Sequence, residues 1–247
     1  MRILCLDCRS EFTGESLVGA LADLGVSPST FEWELSGIEI GDLHLHFDRE
    51  EIQGGRAVRF GVHAGIVHSD HQHPSDHDHD HAPENAHQIP YVQLRARVET
   101  APLSHSAKSH SLGVLNRIAR AESELTEMEL DQIQFSQADG LDWVVTAVLS
   151  CIGLDQLQVK QIFFQPSGQP EQLELQPSHR ALSRRILAAI PTPYPIDASP
   201  VGAAILSELG VQFDAPPQLK STKTGYGWCP NGRGEAAALR ATLGEIA

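Results

Sequence analysis

The chain has 247 residues, of which 41% are hydrophobic, so it can bury a substantial core and is not disordered as a whole. Its 32 acidic and 18 basic residues give a formal charge of −14, which argues against nucleic acid or anionic membranes as partners and favours cations, metal ions included. No stretch reaches the roughly 18 apolar residues that a membrane span needs, and "MRILCLD" is too short for a signal peptide, so we expect a cytoplasmic protein.

The N-terminal residues predict a strand followed by two helices. The apolar run "RILCLD" is typical of a buried strand, and "GESLVGALADLG" has apolar residues at helical spacing that end at Gly25. A short helix is predicted in "SPSTFEWEL", with Pro28 in its first turn.

The cysteines do not indicate a disulfide framework, because they are few and scattered. Although "CLDC" has C-x-x-C spacing, residues three apart in a strand point to opposite faces, so we interpret its cysteines as core residues rather than redox or metal ligands. The cysteines are Cys5, Cys8, Cys151 and Cys229.

An antiparallel hairpin is predicted next, from the alternation in "DLHLHFDREEI" and "RAVRFGVHAGIV" on either side of "QGG". One strand face would carry His44, His46 and Asp48. We interpret this face as exposed and polar, with a metal site as the alternative.

A histidine-rich stretch, "HSDHQHPSDHDHDH", occupies residues 68–81. Between Val67 and about Ile89 the chain has too little apolar surface to offset its conformational entropy, which predicts a disordered loop inserted in the fold. Imidazole suits nickel, zinc and copper, and a loop that is not preorganised would bind them with modest affinity, as capture or storage requires. The alternative is a solvated acidic loop without a metal role. The candidate metal ligands are His68, His71, His73, His77, His79 and His81.

The second half predicts alternating helices and strands. Helices are expected in "SLGVLNRIARAESEL", in "LDWVVTAVLSCIGL", which is apolar on nearly every face and therefore buried, and in "RALSRRILAAI". Short strands are expected in "QIQF" and "LQVKQIFFQPSG".

The strongest local signals surround "ASPVGAAILSELG". Ser199 fits the N-cap of a helix, Pro200 its first position and Gly210 its C-terminal stop. A strand near "LKSTKTGYGW" follows.

The last segment, "GEAAALRATLGEI", has helical propensity, although its position suits an edge strand, and both alternatives remain open. The mixture of helices, strands and a hairpin predicts an α+β (mixed α/β) fold, a sheet with packed helices and an inserted loop. We expect residues 1–67 to form an N-terminal strand, helix and hairpin part, residues 68–89 the disordered loop, and residues 90–247 the remainder of the same domain.

Five features resemble, in order, those of the nickel insertion proteins of the LarC family. The opening "LDCRSEFTGESLVGALADLGV" is similar to the family's "LDCFSGISGDMxLGALLDLGV", and a histidine-rich insertion follows the hairpin. Further along, "QFSQADGLDWV" stands where the family has "HFHEVGAVDSI", "SPVGAAIL" where it has "TPTGAALL", and "KTGYGW" where it has "KIGYGAG".

The resemblance implies a role in nickel chemistry. That family inserts nickel into a pyridinium bisthiocarboxylic acid mononucleotide and forms a carbon–nickel bond, with CTP hydrolysis and a divalent cation, Mg²⁺ or Mn²⁺. By this resemblance the carboxylates Asp7, Glu15 and Asp142 would hold metal or move protons as catalytic residues. The ligand-binding residues would be Ser10, Gly14, Gly225 and Tyr226.

The sequence also departs from the family pattern at polar positions. Glu11 stands where glycine is usual, Glu15 replaces an aspartate and Ser16 a methionine. Neutral side chains, which do not titrate near pH 7 and are poor nickel ligands, replace two histidines and a glutamate at Gln134, Ser136 and Gln137. By this resemblance we expect the family's additional C-terminal domain to be absent from this chain.

Two main functions therefore stay open, and with them the question of whether the chain is an enzyme. It is either a nickel insertion protein of the chelatase or lyase type, working with a separately encoded C-terminal subunit or a cofactor-binding protein, or a non-catalytic protein that stores or shuttles nickel. A third possibility is an assembly scaffold with an incidental loop.

Overall fold

The computed structural model describes residues 1–41, 43–53, 55–64, 88–166, 176–229 and 238–246. The predicted histidine ligands, from His68 to His81, lie outside the described residues. Of the predicted loop 68–89, only the last two residues are described, and they belong to a short strand.

A six-stranded mixed sheet forms the centre of the fold, in the order β2-β3-β7-β8-β1-β6. Neighbouring strands are antiparallel except for β3 with β7 and β1 with β6. Its strands are β1 (Arg2–Cys8), β2 (Leu43–Ile52), β3 (Gly55–Ala64), β6 (Val159–Pro166), β7 (Leu219–Trp228) and β8 (Ala238–Ile246). A separate pair consists of β4 (Gln88–Pro90) and β5 (Gln134–Ser136).

Seven α-helices occur in the described part of the chain. They are α1 (Gly14–Asp23), α2 (Pro28–Ser36), α3 (Tyr91–Thr100), α4 (His105–Thr126), α5 (Gln137–Gln156), α6 (Pro177–Leu187) and α7 (Pro200–Glu208). Helix α1 lies across β3, β7 and β8, and α5 packs against α1. None of these helices is long and apolar enough to cross a membrane.

Glycine residues allow α1 to lie directly on the backbone of the sheet. A Cβ atom at Gly225 would lie 2.7 Å from the carbonyl oxygen of Ala20, and one at Gly227 would collide with the carbonyl oxygen of Ser16. A Cβ atom at Gly19 of the helix would likewise collide with the carbonyl oxygen of Val58 in β3. The glycines of "TGYGW" therefore have a packing function, because only a residue without a side chain permits this helix-to-strand distance.

The predicted α+β fold is confirmed, including the hairpin, whose alternating exposure leaves His44, His46 and Asp48 on an exposed face. The helix "ASPVGAAILSELG" also begins and ends as expected, with Ser199 as N-cap and Gly210 in the left-handed region at φ +58°.

One element was not predicted from the sequence, and another settles an alternative that the sequence left open. Helix α3 was not predicted, since it begins directly after the short strand β4 and buries only Tyr91, Leu94 and Val98. The last segment is a strand, β8, and it lies inside the sheet between β7 and β1 rather than at an edge. Pairing on both sides outweighs its helical propensity.

Three of the four cysteines are buried, and all are free thiols. Burial raises the pKa of the Cys151 thiol to about 12, and it also raises the pKa of Cys8. These thiols therefore remain protonated near neutral pH, as expected for core cysteines rather than for reactive ones.

Candidate functional site

Two helix N-termini present the first pair of candidate residues. At the start of α1, the Thr13 side chain accepts a hydrogen bond from the Ser16 backbone N–H, and Ser16 Oγ accepts one from the Thr13 backbone N–H. Ser16 thus completes a capping box, which fixes the first turn that carries Glu15. Helix α5 starts in a similar way, because Ser136 Oγ accepts a hydrogen bond from the backbone N–H of Asp139.

Close packing between these helices brings their carboxylates together. A Cβ atom at Gly14 would collide with the side chain of Thr146 in α5 and would lie 3.0 Å from the side chain of Val201 in α7. With no side chain at this position, the first turn of α1 can pack directly on α5. As a result Glu15 lies within hydrogen-bonding reach of Asp142.

The Glu15 and Asp142 carboxyl groups form a hydrogen-bonded pair. Burial, the charge of Glu15 and the hydrogen bond with Glu15 raise the pKa of Asp142 to about 8. Two carboxyl groups in hydrogen-bonding contact cannot both ionise at low cost, so near pH 7 Asp142 favours its protonated form. A carboxyl that titrates close to neutrality can donate or accept a proton during catalysis.

A histidine and a second aspartate lie beside this pair. Nε2 of His179, in the first turn of α6, is 3.5 Å from Oδ2 of Asp139, one turn before Asp142 on α5. The hydrogen bond with Asp139 raises the pKa of His179, and the same bond lowers the pKa of Asp139. The imidazole also packs edge-on against Trp143, with ring centroids 5.7 Å apart.

Glu11 is the most buried carboxylate of this region, with 2% of its surface exposed. The pKa of His179 is raised first by its hydrogen bond with Asp139 and that of the Cys229 thiol first by burial, and the charge of the nearby Glu11 adds to both. We call Glu11, Glu15, Asp139, Asp142 and His179 the carboxylate cluster. Within the described ranges, no three histidine, cysteine or acidic side chains are arranged to enclose a metal ion, so the cluster is not a preformed metal site.

Asp7, the third predicted catalytic residue, lies away from this cluster. Its strand neighbours Leu6 and Cys8 belong to the core, and strand alternation places Asp7 on the opposite face of the sheet. In the strand register Asp7 is opposite Arg240 of β8, which in turn is opposite Tyr226 of β7. The structure therefore brings Glu15 and Asp142 together and places Asp7 with Tyr226 instead.

A pocket of about 240 Å³ opens at this second location. The turn between β2 and β3 forms one wall, and the polar lining residues are Asp7, Arg9, Gln53, Arg56, Tyr226 and Arg240. We call this cavity the arginine pocket.

The remaining predicted ligand-binding residues have packing or loop positions. Ser10 follows β1 and accepts a hydrogen bond from the Cys8 thiol at its carbonyl oxygen, at 3.2 Å. Gly14 and Gly225 are buried against neighbouring elements, and their binding roles stay predictions.

Sequence reasoning missed three members of the cluster: Glu11, Asp139 and His179. The i, i+3 spacing of Asp139 and Asp142 could have indicated that both carboxylates lie on one helix face. No local signal could have found His179, because only the packing of α6 places it near α5.

The fold and the cluster define an α+β protein with a proton-sharing carboxyl pair next to a histidine–aspartate pair. The family model for "Nickel insertion protein" matches residues 4–171, and the chain belongs to this family. The matched range contains every acidic residue of the cluster, whereas His179 and Tyr226 lie beyond it.

Curated relatives carry similar names. The chain is 27% identical over 257 residues to the pyridinium-3,5-bisthiocarboxylic acid mononucleotide nickel insertion protein of Desulfitobacterium hafniense, a match that covers 100% of this chain and 59% of the relative. The proteins of that name from Lactiplantibacillus plantarum and Acetivibrio thermocellus are 29% and 26% identical, with 99% of this chain and 62% and 61% of theirs covered. The chain thus spans about three fifths of these relatives. No solved structure matches it.

Proposed function

We propose that this chain takes part in inserting nickel into a pyridinium-3,5-bisthiocarboxylic acid mononucleotide, the reaction in its relatives' names. The observation that carries the proposal is the Glu15–Asp142 pair, in which the pKa of Asp142 is raised to about 8, one turn along α5 from the Asp139–His179 pair. In this proposal nickel is a substrate, transferred by the protein rather than kept as a resident cofactor.

The reaction requires a proton acceptor. When a carbon–nickel bond replaces a ring C–H bond, the ring loses one proton and nickel stays divalent. A carboxylate whose conjugate acid has a pKa of about 8 is a much stronger base than an ordinary carboxylate, and Asp142 has this property in its ionised form. Nickel binding would first displace the proton that Asp142 holds near pH 7, and Asp142 would then accept the ring proton, with Glu15 as its hydrogen-bond partner.

The same pair would respond to the nickel ion itself. A dication near Glu15 and Asp142 favours the form in which both carboxyl groups are ionised, so binding displaces their shared proton. His179 supplies an imidazole, a better nickel ligand than a carboxylate, although its pairing with Asp139 raises its pKa and so favours the protonated form, with which the metal must compete. Weak, proton-coupled binding suits a protein that must pass the ion on.

The histidine-rich stretch would deliver nickel to the cluster, through the six ligands from His68 to His81 named above. The match covers about three fifths of the relatives, and we assign the use of CTP with Mg²⁺ or Mn²⁺ to a C-terminal subunit or domain of the LarC type. The resemblance supports both assignments.

Calorimetric titration with nickel tests the proposal. The intact chain is compared with a variant that lacks residues 68–81, and Asp142→Asn is introduced into each. We expect a binding event that survives the deletion, releases a proton and disappears in Asp142→Asn. The exposed Asp131→Asn serves as the matched control and should leave the event unchanged. If all nickel binding disappears with the loop, the cluster does not hold nickel and the proposal is wrong.

A further inference from the structure

We propose that the arginine pocket binds the phosphate group of the mononucleotide substrate, with Arg240, Arg56 and Tyr226 as its main contacts. The inference rests on the proposed function for the identity of the substrate. Its physical basis, a basic cavity in an acidic protein, is independent of the carboxylate cluster.

The positive charge of the residues that line the arginine pocket favours an anionic ligand. The chain has 18 basic residues against 32 acidic ones, yet Arg9, Arg56 and Arg240 all line this one cavity, with Asp7 as the acidic residue among the lining side chains. Arginine offers a planar fork of N–H donors that matches phosphate oxygens. Such a concentration favours an anion, which the charge of the whole chain would otherwise repel.

Arg56 and Arg240 can also reorient towards a ligand at low cost. Arg56 pairs with Glu51 at 2.6 Å, but both side chains are more than 60% exposed, so water screens the pair and exchange for a phosphate is inexpensive. Arg240 forms no ion pair with another residue in the described part of the chain. Its place between Asp7 and Tyr226 in the strand register directs it along the same face.

Tyr226 adds a hydrogen-bonding hydroxyl to the lining of the arginine pocket. Gly225 and Gly227 on either side of it are needed for packing on α1, whereas Tyr226 points to the opposite face and lines the pocket. Helix packing therefore explains the glycines of "TGYGW" and leaves the tyrosine unexplained. A phenol hydroxyl can donate a hydrogen bond to a phosphate oxygen.

Size and position are consistent with one end of a nucleotide. A volume of about 240 Å³ lies below the roughly 300 to 1,000 Å³ of sites that enclose a whole drug-sized ligand. A phosphate with part of its sugar fits such a volume, and the pyridinium ring would stay outside. The segment from Arg9 to Glu11 connects the pocket to the carboxylate cluster around the end of β1.

The test uses nicotinamide mononucleotide as the probe, since it combines a pyridinium ring, a ribose and a phosphate. Binding to the full chain is measured by calorimetry, beside nicotinamide riboside, which lacks the phosphate. We expect the riboside to bind at least about 10-fold more weakly. Arg240→Gln and Arg56→Gln should each weaken binding of the mononucleotide by about 10-fold or more, because each loses a charge-assisted contact. Tyr226→Phe should cause a smaller loss.

Matched controls separate this inference from the proposed function. Arg95→Gln removes an exposed arginine that pairs with Glu99 on α3, far from the pocket in sequence, and should leave probe binding unchanged. Arg240→Gln should leave nickel binding to the cluster unchanged, and circular dichroism verifies that the variants fold.

Two kinds of outcome would overturn the inference, loss of phosphate recognition and preference for a triphosphate. If the riboside binds as well as the mononucleotide, or if the arginine variants bind the probe normally, the pocket does not recognise phosphate. If CTP binds in competition with the probe and more tightly, the pocket serves the triphosphate rather than the substrate. Neither result would affect the nickel titration, so a failure here differs from a failure of the proposed function.

Discussion

Asp142→Asn should make the protein more stable at neutral pH, although it removes a proposed catalytic group. In the native chain, burial and the charge of Glu15 raise the pKa of Asp142 to about 8, so ionising this carboxyl in the folded state is unfavourable. Asparagine has the shape of the protonated acid, and its amide N–H can donate to Glu15 as the carboxyl O–H does. The variant therefore imitates the favoured form at every pH.

The magnitude follows from proton linkage. A carboxyl whose pKa is higher in the folded than in the unfolded chain binds its proton more tightly when folded. The free energy of unfolding therefore falls as pH rises from the unfolded pKa near 4 to the folded pKa near 8. The slope is at most about 1.4 kcal/mol per pH unit, so between pH 5 and pH 7 Asp142 removes up to about 2.7 kcal/mol. Asp142→Asn should not show this loss.

Urea denaturation at pH 5, 6, 7 and 8, followed by circular dichroism, measures the free energy of unfolding of the native chain and of the variant. The effect is the difference between these two free energies at each pH. Other titrating groups, such as His179, are present in both proteins, so their contributions cancel in this difference. The free energy of unfolding of the variant minus that of the native chain should therefore increase with pH. The exposed Asp131→Asn should give a curve parallel to that of the native chain. If the curve of unfolding free energy against pH for Asp142→Asn is also parallel to that of the native chain, Asp142 titrates normally and does not share a proton with Glu15.

Three further predictions concern the same region. Asp139→Asn should lower the pKa of His179, because it removes the hydrogen bond and the charge that raise this pKa. An NMR titration of the imidazole measures the change, and an unchanged pKa would contradict the pairing. Gly227→Ala should destabilise the fold by about 2 kcal/mol or more through its collision with α1, whereas Gly61→Ala, with no atom within 4 Å of the new methyl group, should not. Thr13→Ala should lower the free energy of unfolding by about 1 kcal/mol through loss of the α1 cap, and an unchanged denaturation midpoint would contradict that role.

The sequence predicted best the elements whose signals are local. The α7 caps at Ser199 and Pro200 depend on a few adjacent residues, and they were read correctly. The conformation of β8 depends on pairing with β7 and β1, which lie far away in sequence, so its own propensity pointed towards a helix. The site shows the same division, since resemblance indicated Glu15 and Asp142 as residues, but only the packing of α1 on α5 makes them a pair.

The departures from the family pattern have a consistent structural meaning. Ser16 and Ser136, which stand where the family has a methionine and an ionisable residue, each take part in capping the helix that carries a cluster carboxylate. Ser136 Oγ also donates a hydrogen bond to Oδ2 of Asp139, the oxygen that faces His179. The middle motif thus has neutral side chains at positions 134, 136 and 137, yet it positions Asp139, which holds an imidazole from α6. The substitutions therefore leave an imidazole and carboxylates together at the N-terminal end of α5, and in the proposed function proton transfer would depend on the Glu15–Asp142 and Asp139–His179 pairs.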